Sequence, residues 1–134
     1  MRSARPRMRT HLALIASAVL LTGCWPARFV ERPEVRGTVL SAQTHEPVAG
    51  ARVAVASLPR PERTYVVTTD SNGRFEIPAD RHWGLYSPLG EGWPVSGFVE
   101  VNAEGFASER QPLQWSQTGQ SRNDVGVISL VPLP

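Results

Sequence analysis

The chain has 134 residues with 14 basic and 12 acidic side chains, and four of the basic ones (Arg2, Arg5, Arg7, Arg9) crowd the first nine positions. The remainder is slightly acidic with no clustered basic face, which argues against nucleic acid as a partner. A single cysteine, Cys24, excludes an intramolecular disulfide and any zinc site built from cysteines.

In chain order the first element is the basic N-terminus followed by an apolar stretch from Leu12 to Leu21. That charged-then-apolar order marks a secretory signal peptide, and ten residues are too few for a spanning helix, which needs about 20. The stretch ends in Leu21-Thr22-Gly23-Cys24, which resembles the lipobox of bacterial lipoproteins. The resemblance implies removal of residues 1–23, a thioether-linked diacylglycerol on Cys24 and an acylated amino group carrying a chain such as palmitate. A thiolate is the best side-chain nucleophile for taking up lipid, and two or more acyl chains are needed for stable membrane attachment. Trp25 stands where the resemblance associates aspartate with inner-membrane retention, so the implied location is the cell outer membrane, facing the periplasm.

Residues 24–34 hold two prolines, mixed charge and no apolar period, and read as a lipidated tether. Residues 35–134 read as one domain of ordinary size. Short valine-rich runs there are broken by proline, glycine, asparagine and serine, and helical spacing is not sustained for more than a turn. Strands are expected at Val35–Leu40, Ala51–Ser57, Thr64–Thr69, Arg74–Pro78, Gly97–Asn102, Glu109–Trp115 and Asp124–Val131. Val53 and Val55 share one face, and Phe75 and Ile77 another, as a period of two demands. Seven such strands predict an all-β fold, a single antiparallel β-sandwich. Asp70-Ser71-Asn72-Gly73 has type I turn chemistry and predicts a hairpin between the third and fourth strands.

Three segments in this order resemble the carboxypeptidase regulatory-like domain, a transthyretin-like sandwich: Val35 to Leu40, Thr44 to Val53, and Thr68-Thr69-Asp70-Ser71-Asn72-Gly73-Arg74-Phe75. Gly105-Phe106 and the run from Asp124 to Leu130 fit the same pattern more loosely. His45 stands where the family often has glycine, so a different turn geometry is expected there. The resemblance implies a fold and carries no catalytic motif. A transthyretin-like hydrolase acting on hydroxyisourate is excluded by the ending Leu130-Val131-Pro132-Leu133-Pro134, which lacks that enzyme's terminal signature.

Catalytic constellations are sparse. His45 and His82 fall in a turn and an irregular loop, and no nucleophile elbow or paired-histidine zinc motif occurs. Glu100, Glu104 and Glu109 lack the marks of a glycosidase pair. The Asp70 turn fails as a calcium loop because Arg74-Phe75 follows the glycine. No enzyme activity, metal or cofactor is expected.

The segment from Arg81 to Pro94 is read as a long loop with His82, Trp83, Tyr86 and Trp93. Two readings are open. Trp83, Tyr86 and Trp93 could bind a ligand, most plausibly a glycan, by stacking, or Trp83, Leu85, Tyr86 and Trp93 could fold back and plug one end of a valine-rich core. The plug is preferred because large exposed apolar patches are uncommon on monomers. Trp115 is expected in the core. The sequence therefore points to an outer-membrane lipoprotein with a non-catalytic sandwich that acts as a scaffold or interaction module, with the membrane, envelope proteins or glycans as partners; the alternative is a carbohydrate-binding module.

Overall fold

The computed structural model describes residues 11–18, 23, 25–58, 60–86, 94–119 and 122–134, with the side chain of Tyr86 outside that set. Among the described residues a short exposed helix over 11–18 is followed by nine strands. These are β1 (Trp25–Arg32), β2 (Glu34–Ser41), β3 (Arg52–Ser57), β4 (Arg60–Thr68), β5 (Arg74–Ile77), β6 (Asp80–Tyr86), β7 (Pro94–Asn102), β8 (Glu109–Ser116) and β9 (Arg122–Leu130). All seven expected strands are present, and β1 and β6 are additional.

The body is an all-β sandwich. One sheet has the order β5-β2-β9 and the other β4-β3-β7-β8. Alternation decides which residues enter: Val95, Val99 and Val101 point inward from β7, and Phe75 and Ile77 from β5, while Ser96, Phe98 and Glu100 are half-buried and Arg74 and Glu76 exposed. Val35, Val39, Phe75, Ile77, Ile128 and Leu130 from the three-stranded sheet meet Val53, Val55, Val99, Val101, Leu113 and Trp115 from the four-stranded one in a single core. Gly97 makes room for the largest of these, since a Cβ there would lie 2.9 Å from the Trp115 ring.

The sheets are not purely antiparallel. β2 runs parallel to β9, with Val39 beside Ile128 and Leu40 beside Ser129. Parallel neighbours need a long connection, and here six strands intervene. The pairing shifts register after Arg36, where Asp124 Oδ1 accepts the Gly126 N–H at 2.9 Å and Gly126 takes a φ of 66°, the mark of a bulge.

The expected hairpin at Asp70 is a crossover. Its turn closes as anticipated: Gly73 N–H donates to the Asp70 carbonyl, and Asp70 Oδ1 accepts the N–H groups of Asn72 and Arg74, each at 2.9 Å. The strands on either side then diverge, β4 pairing with β3 and β5 with β2. The reason lies in Thr69, which is buried; its hydroxyl donates to the Val48 carbonyl at 2.6 Å and accepts the Ala51 N–H at 2.9 Å. This cross-tie holds the chain against the turn before β3 while Gly73, at φ 71°, presents its carbonyl to the Val39 N–H of β2. A Cβ on Gly73 would fall 2.4 Å from the Val39 carbonyl oxygen, so only glycine fits.

His45 adopts a φ of 61°, the left-handed conformation that glycine supplies more easily. The turn therefore keeps the geometry associated with glycine, and histidine accommodates it. On the outer face of the four-stranded sheet, Glu100 lies opposite Arg110 and is bonded by it and by Asn102. The Arg110 guanidinium above all, and then the Asn102 amide, holds the Glu100 carboxyl below its ordinary pKa.

Two outcomes follow from these bonds. Thr69→Val leaves the Val48 carbonyl and the Ala51 N–H without their partner, and chemical denaturation is expected to register a loss of about 1–3 kcal/mol. Because Glu100 is lowered in the folded state, its contribution is complete above the ordinary carboxylate pKa and is lost as pH falls through the folded value. Glu100→Gln is expected to flatten the acid limb of the stability profile and to leave its neutral and alkaline slope unchanged, as read by denaturation at a series of pH values.

Candidate functional site

The segment read as a tether is strand β1, and the first half of the segment read as a loop is β6; the two pair with each other in an antiparallel ribbon. Register sets Trp25 opposite Tyr86, Pro26 opposite Leu85, Arg28 opposite Trp83 and Phe29 opposite His82. Directly opposed residues share a face. The Phe29 ring stacks on His82 with centroids 5.6 Å apart and covers Gly84, where a Cβ would lie 2.7 Å from it. On the other face the Arg28 guanidinium sits 5.6 Å from the Trp83 ring centre.

A buried residue of β1 joins the ribbon to the core of the body. Val30 is buried; its N–H donates to the Gln117 carbonyl at 2.7 Å, and its carbonyl accepts from Trp115 Nε1 at 3.3 Å. Beyond it the ribbon is wet. Trp83 is 70% exposed, Leu85 74% and Trp25 50%. The preferred plug therefore does not form with Trp83 or Leu85: their register with Pro26 and Arg28 carries them past the end of the sandwich, and Val30 and Trp115 close the core instead. Trp93, like Cys24, lies outside the described residues.

Where the ribbon meets the body there is a cleft of about 240 Å³. Val55, Val95 and Trp115 line it on the core side, with Glu31, Arg60, Arg63, Asp80 and His82 among its polar residues. Glu31 is its electrostatic centre, accepting from Arg60 at 2.8 Å and from Arg63, with His82 Nδ1 at 3.6 Å. Arg32 donates to the Pro78 carbonyl at 3.1 Å and lies over the Tyr65 ring. Both arginines on Glu31 are more than half exposed, so these pairs fix the direction of side chains more than they stabilise the fold.

Ser57 lines the same cleft, yet no hydrogen bond joins it to His82 among the described residues. Among the described residues no group of three or more His, Cys, Asp or Glu side chains is placed to hold a metal. His45 sits on an exposed turn remote from this chemistry. Sequence reasoning missed Glu31, Arg60 and Arg63, because their association depends on β1 being a strand. No helix among the described residues is long and apolar enough to cross a membrane.

Residues 34–88 match the model of the carboxypeptidase regulatory-like domain, which spans β2 to β6. No curated protein matches the chain. Among solved structures, similarity is found to 3-chlorocatechol 1,2-dioxygenase from Rhodococcus opacus 1CP, at 14% identity and a TM-score of 0.46 over 77% of this chain and 62% of that one. The C-terminal domain of the shaft pilin SpaA from Lactobacillus rhamnosus GG is 10% identical with a TM-score of 0.42, over 80% of this chain and 99% of that one. A 9R-lipoxygenase from Cyanothece PCC8801 is 22% identical with a TM-score of 0.37, over 72% of this chain and 16% of that one. The chain thus spans less than two thirds of the dioxygenase and a small part of the lipoxygenase.

The exposures of the two tryptophans separate their roles. Trp83→Ala is expected to change stability by no more than about 0.5 kcal/mol, whereas Trp115→Ala empties the core and costs about 3–5 kcal/mol. Equilibrium denaturation of the two variants checks both.

Proposed function

We propose that this chain, with its carboxypeptidase regulatory-like domain at residues 34–88, is an exported lipoprotein whose sandwich serves as a non-catalytic scaffold or protein-interaction module. Lipid on Cys24 holds it at the outer membrane, facing the periplasm. The observation that carries the reading is Leu21-Thr22-Gly23-Cys24, placed at the end of a basic and then apolar segment and containing the sole cysteine of the chain. A disulfide-free, valine-rich sandwich is compatible with export because its stability rests on apolar burial. The scaffold role is supported by the character of the cleft, whose Glu31 is occupied by the chain's own arginines.

A second reading, glycan binding through Trp83, Tyr86 and Trp93, draws on the outward position of Trp83. An exposed ring can stack on a sugar face. Titration with envelope polysaccharides would then shift tryptophan emission, and Trp83→Ala would remove the shift.

The anchoring is tested by intact mass and N-terminal peptide mass of protein extracted from the membrane fraction. The expected product begins at Cys24 and carries a diacylglyceryl group and an amide-linked acyl chain. An unmodified thiol at Cys24 overturns the reading.

A further inference from the structure

The β1–β6 ribbon combines three features that the sandwich does not explain. Its outer end presents Trp25, Trp83 and Leu85 to solvent. Its outer residues, 25–29 and 82–86, contain Arg28 and His82 and no acidic side chain, whereas Glu31, Asp80 and Arg81 stand at the inner end, beside the buried Val30. Its first residue, Trp25, directly follows Cys24.

We infer that the ribbon is a foot that lies in the lipid headgroup layer, with Trp83 and Leu85, which share a face, at the acyl boundary and Arg28 beside Trp83 among anionic headgroups. The inference rests on the proposed lipid at Cys24 for its placement. Consecutive Cα atoms are about 3.8 Å apart, so acyl chains on Cys24 bring Trp25 to the membrane surface. Strand rise is about 3.3 Å per residue, which sets the Arg28–Trp83 pair only about 10 Å farther along. That is the depth over which interfacial elements are buried, about 5–10 Å. Tryptophan is favoured in this layer because its ring is apolar and its N–H is wet. Arginine extends an apolar stem and places its charge among phosphates. The absence of carboxylates from the outer ribbon removes the repulsion that an anionic surface would otherwise meet.

The attachment at Val30 gives the foot a consequence for the rest of the chain. With Val30 bonded to Gln117 and Trp115, the ribbon is continuous with the sandwich. A ribbon lying in the headgroups therefore sets the tilt of the domain, where an irregular tether would let it turn.

The test uses the native full-length protein, purified from membranes and reconstituted into vesicles of phosphatidylethanolamine and phosphatidylglycerol with brominated acyl chains. Emission is compared with that in non-brominated vesicles, for the native chain and for Trp83→Phe, with circular dichroism confirming that the variant is folded. The expected result is quenching of a component that disappears in Trp83→Phe, and weaker quenching of that component in Leu85→Glu. Unquenched Trp83 emission in a chain whose Cys24 is acylated by mass spectrometry overturns the foot and leaves the anchor standing. Quenched Trp83 emission in a chain whose Cys24 is unmodified supports the foot and removes the anchor. A Trp83 response to polysaccharide with none to bromolipid overturns the foot in favour of glycan binding.

Discussion

A single buried hydroxyl governs how this chain changes sheets. Thr69 bonds the Val48 carbonyl and the Ala51 N–H, so the end of β4 is fastened to the start of β3 before the chain turns away. The next four residues then carry it across the core: Asp70 caps the turn with its carboxylate, and Gly73 docks its backbone on Val39 in the opposite sheet. Phe75 follows at once into the interior. In a chain with one cysteine, such polar ties do work that a disulfide often does in small exported domains. They are valuable because a buried donor or acceptor left unmatched is expensive, which makes alternative connections between the sheets unfavourable.

The parts of the fold that were legible in the sequence are those whose stability is local and periodic. Phe75 with Ile77 and the runs of β7 and β9 alternate because each buries one face, and seven strands followed from that rule. Val53 and Val55 point into the core, although Ala54 and Ala56 of the same strand are buried as well. The parallel direction of β9 against β2 was not legible, since strand direction is set by the route of the chain and leaves no mark on alternation. The turn at Asp70 was read with correct chemistry and the wrong consequence: turn residues specify how the backbone reverses and carry no information about which sheet receives the next strand.

β1 and β6 were missed for a different reason. Their apolar residues, Trp25, Ala27 and Phe29 on one face of β1 and Trp83 and Leu85 on one face of β6, are interleaved with proline, glycine and charge and are not buried against the sandwich. The two strands exist through each other, through Phe29 covering Gly84, and through a bond between Trp115 and Val30 that joins positions 85 residues apart. The same dependence hid the cleft. Glu31, Arg60 and Arg63 look like scattered surface charges until the ribbon brings them together. Trp115 was legible as core because it ends a clearly alternating strand. Trp83 was not legible as exposed, because its direction follows from a partner strand that the sequence disguises with prolines and charge.

The parallel union of β2 and β9 bears on how such a domain comes into being. The first strand of the sandwich waits for the last, and Val39 has no neighbour on that side until Ile128 has been made. Long-range pairings of this kind slow folding. Under the export proposed above, slowness would be an advantage: the sheet cannot close before its last strand has followed the first through a translocon.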